Sequence, residues 1–150
     1  MNTISFTVAG AAGNIASGRM SHAEGGYLST DGSAIGNEAS GESSHAEGYE
    51  TSAEAIASHT EGNNTKTHKA YSHAEGRQTE TFGEASHTEG NETIPEGDYA
   101  HAEGWMTRAK GAYSHSEGQY TFTYADAAHS EGNNTLAKGT FMLSLSQLLY

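Results

Sequence analysis

Eight His-x-Glu pairs recur along this chain in one frame. They are His22 with Glu24, His45 with Glu47, His59 with Glu61, His73 with Glu75, His87 with Glu89, His101 with Glu103, His115 with Glu117 and His129 with Glu131. On a strand, residues two apart point to the same side. An imidazole and a carboxylate so placed can share a proton, form an ion pair or hold a borderline divalent metal ion. Repetition argues against catalysis, because an active site needs distinct groups in one place. The His-x-Glu of zinc deaminases needs Cys ligands, and this chain has no Cys. GNIASGR (13–19) lacks the Lys of a phosphate loop, and its pattern returns in repeat register at 36–41. The sequence therefore assigns no catalytic residue, no metal ligand and no cofactor, and the chain is read as a non-enzyme. Metal binding by the repeated pairs is kept as an alternative below the structural reading.

The elements that must position these pairs follow from the period. From His45 onward every step between ladder histidines is 14 residues, and seven such units fill 45–142. The segments GNIASGRMSHAEG (13–25) and GNEASGESSHAEG (36–48) match each other, so residues 10–44 read as three shorter variant rungs. That gives about ten rungs with no linker. A fixed period this short predicts a solenoid in which each repeat makes one coil. The expected architecture is all-β: a parallel β-roll, or β-solenoid, with ~14-residue rungs of two short strands.

Counting each unit from its His, position 4 is Gly in every copy: Gly25, Gly48, Gly62, Gly76, Gly90, Gly104, Gly118 and Gly132. Position 11 is usually Gly, as at Gly83, Gly97, Gly111 and Gly139. Half a unit apart, these glycines are expected to make the two turns of the coil. One strand then runs from position 13 to position 3 of the next unit, and the other from 6 to 10. Position 7 is always Thr: Thr51, Thr65, Thr79, Thr93, Thr107, Thr121 and Thr135. Positions 6, 8 and 10 carry charges such as Lys66, Glu80, Arg108 and Lys110, so positions 7 and 9 must point inward. An outward Thr ladder of the ice-binding kind would force those charges inside. Positions 14 and 2 are small and should face them, which makes a thin roll filled by Ala, Ser, Thr and Gly. The outer face of the first strand then presents His and Glu, with Tyr71, Tyr99, Tyr113 or Phe141 beside them.

Composition agrees. Hydrophobic residues make up 34% of the chain, too little large apolar bulk for an ordinary single-chain core. The net charge of −12 argues against nucleic-acid phosphates as a partner. No stretch is long and apolar enough to span a membrane, and MNTISFTVAG does not read as a signal peptide. A roll lined with methyl groups buries little, so one face is expected to be covered by other chains. The face of uniform composition, positions 1 and 3, is the candidate. Glu above Glu at ~4.8 Å repels unless partnered, and His is the partner at hand. If the pairs are ionic, folding raises the imidazole pKa and lowers that of the carboxylate. Stability should then peak in mildly acidic solution.

These features, SHAEG in register and SAIGNEASG at 33–41, resemble two related groups. One is the head repeat of trimeric autotransporter adhesins (YadA-like). The other is the HAEG-repeat segment of phage tail-fibre and appendage proteins. The likeness covers about 8–142, and aligned there Ile35 takes the place of the ladder Glu and Ser33 that of the His. The resemblance implies a left-handed roll and a side-by-side homotrimer. It also implies a place in a virion tail fibre or on a cell surface. The expected organisation is an N-terminal capping strand (1–9), the repeat roll (10–142) and an apolar C-terminal segment (143–150) that caps the roll, starts a stalk or mediates assembly. The function expected is that of a rigid fibre or adhesin segment, possible partners being a host-surface receptor and further copies of the chain end to end. A self-assembling extracellular filament is the alternative. Neither nucleic acid nor membrane is expected as a partner.

Overall fold

A computed structural model of the chain describes residues 6–7, 13–28, 30–139 and 143–145. Among the described residues every regular element is a β-strand. Parallel strands stack into a solenoid with a long sheet on one side and shorter sheets on the other. The long sheet has ten strands. Its edges are Phe6–Thr7 and Leu143–Leu145, and the eight strands between them begin at the ladder histidines. Register is repeat-on-repeat: His73 pairs with His59 and His87, Glu75 with Glu61, and Gly76 with Gly62. The opposite side is built from two-residue strands such as Ser52–Ala53, Lys66–Thr67 and Glu80–Thr81. It divides into sheets of five and four strands between Glu80–Thr81 and Ile94–Pro95. Pro95 has no N–H to give to a ladder, which accounts for the break there.

The interior is as thin as the residue types dictate. Thr65, Thr79, Thr93, Thr107 and Thr121 are fully buried, and Thr51 and Thr135 nearly so. Ala53, Thr67, Thr81, Ala109, Thr123 and Ala137 lie beside them from position 9. Facing them are Ala46, Thr60, Ala74, Thr88, Ala102, Ser116 and Ser130 from position 2. In the first rungs Asn takes the Thr station. Asn37 is buried, its Nδ2 donates to the carbonyls of Glu24 and Gly48, and its Oδ1 accepts from the Thr51 N–H at 2.9 Å.

Of the two expected glycine turns, the one at position 11 is present, the Ala100 N–H donating to the Gly97 carbonyl at 3.3 Å, and the one at position 4 is not. The position-4 glycines lie inside the strand: His73–Arg77 runs straight through Gly76. Their φ angles, 104° to 116° from Gly48 to Gly132, are positive. The left-handed residue of each corner is not glycine and stands at position 6 or 13. Asn64, Gln78 and Met106 have φ of 54° to 55°, and Ala57, Tyr71 and Tyr113 have φ of 51° to 61°. From Ala57 to Asn134 each corner N–H donates to a carbonyl one rung earlier, as Gln78 does to Asn63 at 2.8 Å and Tyr71 to Ile56 at 3.0 Å. That repeated bond offsets the cost of a left-handed backbone. The glycines at position 4 serve close approach: a Cβ on Gly76 would stand 2.2 Å from the Gly90 carbonyl oxygen. The strand therefore begins at the His, two residues later than expected, and carries Tyr49, Arg77 or Trp105 at its far end.

The 23 residues from His22 to His45 make one step of the long sheet, because His22 pairs directly with His45, so this stretch is one long coil and does not divide into the shorter rungs expected. The extra length forms an antiparallel pair, Tyr27–Leu28 against Ala34–Ile35. Ile35 therefore pairs with Tyr27 and does not stand in the Glu station. Of the expected end segments, Phe6–Thr7 is an edge strand against His22–Gly25 and Leu143–Leu145 is the other edge. Residues 1–5, 8–12, 29, 140–142 and 146–150, with Phe141 among them, lie outside the described residues.

Candidate functional site

The uniform face is a column of imidazoles beside a column of carboxylates. Parallel strands in exact repeat register place like above like, so the rings stack. Centroids are 4.7 to 4.9 Å apart and the planes within 16° from His22 to His115. The step from His115 to His129 breaks the stack, with planes at 60°. Alternation hides position 2 and presents positions 1 and 3, and the ladder histidine side chains are about a third exposed.

Within a rung His and Glu come close without bonding. Nε2 to carboxylate distances are 3.5 Å in His45–Glu47, 3.8 Å in His73–Glu75, 3.4 Å in His101–Glu103 and 3.6 Å in His129–Glu131. Hydrogen bonds are shorter. The Nε2 atoms of His45, His59, His73, His87, His101, His115 and His129 are hidden from solvent and have no hydrogen-bond partner. Glu24 lies between two histidines, 3.7 Å from His22 and 3.5 Å from His45.

At four ladder residues electrostatics runs opposite to an ionic pair. Burial, and then the neighbouring imidazoles, push His59, His73 and His101 below their ordinary value of 6.5. Burial, and then the crowding of Glu61 and Glu89, raise Glu75 above its ordinary 4.5. The ionic expectation of raised His and lowered Glu is corrected at these residues: like groups stacked at one rung spacing disfavour the charged form of each.

The ladder Ser, which sequence reasoning placed only as filler, has a specific partner. Ser44, Ser58, Ser72, Ser86 and Ser114 each donate Oγ–H to the carbonyl three residues back, at 2.6 to 2.8 Å. The Ser of SHAEG thus ties down the corner before its strand. Tyr71, Tyr99 and Tyr113 stand at that corner, exposed, and Tyr99 stacks on Tyr113 with centroids 5.1 Å apart.

The opposite face is chemically varied. His68, outside the ladder, lies between two carboxylates: Nδ1 is 2.7 Å from Glu54 and Nε2 is 2.7 Å from Glu80. Burial opposes its charge, but the bonds to Glu80 and Glu54 prevail and its pKa is raised. The signal was legible, since Glu54 precedes His68 by one period and Glu80 stands on the next rung. Further along, Ile94, Met106, Arg108, Lys110, Tyr120, Phe122 and Tyr124 line an open groove of about 570 Å³ with Gln78 and Glu92. Arg108 and Lys110 both reach Glu96, at 3.5 and 3.3 Å.

These directions fix a pH profile. The lowered ladder histidines leave stability intact above pH 6.5 and remove it as pH falls below that value, where the unfolded chain takes up protons first. Raised His68 acts in the other window: its contribution is present below 6.5 and is lost as pH rises through its folded pKa. Raised Glu75 returns some stability on further acidification towards 4.5. In chelator-treated protein the melting temperature should peak near neutrality and fall towards about pH 5. His68→Gln should flatten only the alkaline limb. A melting temperature that rises steadily from pH 7 to 5 would contradict this balance.

The ladder brings together all sixteen His and Glu residues that the sequence singled out, on one face. The seven Thr line the interior and the eight Gly sit within the strands. No protein-family model matches the chain, and no curated protein matches it.

Proposed function

We propose that this chain is a structural rod segment whose copies associate side by side through the His/Glu face. By the resemblance of its repeats, the assembly is a homotrimer in a phage tail fibre or bacterial surface appendage, where it contributes to attachment. One observation carries the reading. Among the described residues, the large apolar side chains lie outside the interior, whose buried apolar members are alanines and Pro95. Such a core gives up little apolar area, and association along a face adds what one chain lacks. The ladder face suits that role because its composition is uniform along the rod. The varied face, with its groove of aromatic and basic side chains, is then the surface turned to a host receptor.

Light scattering on the purified chain tests this. The expected mass is three times the 15.7 kDa of one chain, independent of concentration. A mass of one chain across the accessible range would end the reading. The filament alternative draws on Leu143 and Leu145, exposed at the edge of the long sheet. Negative-stain images separate the two: discrete rods about 50 Å long, at ~4.8 Å per rung, support the fibre segment. Continuous fibres support the filament.

A further inference from the structure

We propose that the ladder face binds divalent transition-metal ions through His–Glu–His groups drawn from consecutive rungs of a single chain. Five such groups have their ligand atoms within 4.8 Å of one another. Glu24 shows the arrangement best, one carboxylate oxygen 3.7 Å from His22 Nε2 and the other 3.5 Å from His45 Nε2. Zinc bonds to His nitrogen and carboxylate oxygen are ~2.0–2.2 Å long, so two ligands of a tetrahedral ion stand about 3.4 Å apart. In the Glu24 group both His-to-Glu separations are close to that distance, and in the other four the same-rung His stands 3.4 to 3.9 Å from the carboxylate with the next-rung His within 4.8 Å. The wider His-to-His gap closes by side-chain rotation, which a third of exposure allows. A second observation points the same way. The Nε2 atoms of His45, His59, His73, His101 and His115 are covered from solvent and make no hydrogen bond. An ion held between the rungs gives each a partner and neutralises stacked carboxylates. Imidazole with carboxylate selects zinc, nickel or copper over the harder magnesium and calcium.

The arrangement also limits how many ions bind. Each Nε2 has one lone pair and serves one ion. His22, His45, His59, His73 and His87 share four overlapping groups in a row, so at most two of these fill together. The His101–Glu103–His115 group stands apart and fills independently. Saturation is therefore three ions per chain. Chemically identical substitutions should then behave differently. His87→Gln spares three ions, because the groups His22–Glu24–His45 and His59–Glu61–His73 remain. His101→Gln removes one, because no other group among the described residues replaces it.

The test is equilibrium dialysis of the untagged full chain, stripped with chelator, against zinc chloride near neutral pH. Retained zinc is measured by elemental analysis, and far-UV circular dichroism confirms that each variant is folded. The expected counts at saturation are three for the unsubstituted chain, three for His87→Gln and two for His101→Gln. Glu103→Gln, which spares every imidazole, should also give two. No retained zinc, or equal losses in His87→Gln and His101→Gln, would overturn the proposal. The inference goes beyond the rod reading and stands on the geometry of one chain. Light scattering on the same stripped protein tests the rod separately.

Discussion

Gly90→Ala should lower the melting temperature by roughly 6–12 °C, corresponding to about 3 kcal/mol or more. Two penalties combine at this residue. Its φ of 108° lies where L side chains are strained. A Cβ would also stand 2.1 Å from the Gly104 carbonyl oxygen of the next rung. That oxygen cannot retreat, because Gly104 is held against Gly118 in the same manner. The comparison is Gly111→Ala. Gly111 does not have a positive φ, but a Cβ there would also meet backbone, 2.0 Å from the Ala125 carbonyl oxygen, so the two sites share the close approach and differ in φ. Gly111→Ala should cost less than Gly90→Ala, by the part that the positive φ of Gly90 adds. Thermal melts at one fixed protein concentration decide the matter, and equal shifts would show that the positive φ at position 4 adds nothing to the close approach.

Ala102→Leu should be comparably severe, for the opposite reason. Ala102 is fully buried, with Thr88 and Ser116 in register on either side and Ala109 in the same cluster. The interior is one small side chain deep from each strand, so three added carbons have nowhere to go without parting the two sides. Overpacking in ordinary cores costs about 1–3 kcal/mol. A roll with no larger neighbour to trim should reach the top of that range or fail to fold. Ala102→Ser should melt close to the unsubstituted chain, because Ser116 and Ser130 hold the same station in later rungs. If Ala102→Leu is soluble and melts within about 2 °C of the parent, the interior is looser than the structure has it.

Faces were legible, and of the two corners only the one that opens at position 11. A 14-residue period with Thr at position 7 and charges at 6, 8 and 10 leaves one way to orient the short strands. The structure buries Thr51 through Thr135 accordingly. The same glycine frequency that marks a repeat misplaced the other bend. Gly76 reads as a turn because glycine is the usual residue at positive φ. Its positive φ in fact belongs to a strand crowded against Gly90, while Gln78 turns the chain. Tyr71 in a left-handed corner runs against its local preference, and only the rung-to-rung bond to Ile56 makes it acceptable.

The repeat alone determined that this chain is an all-β parallel stack, which residues fill it and which pair lines its uniform face, because a period forces every copy into one environment. Three-dimensional contact decided the rest. It put the left-handed corner residues at positions 6 and 13 and made a hairpin of the extra residues near Tyr27. It joined Ser72 to the Lys69 carbonyl and set His68 between Glu54 and Glu80. It also reversed the expected electrostatics at His59, His73, His101 and Glu75. Spacing shows His beside Glu, but stacking sets His73 over His59 and Glu75 over Glu61, and like neighbours with burial outweigh the unlike pair.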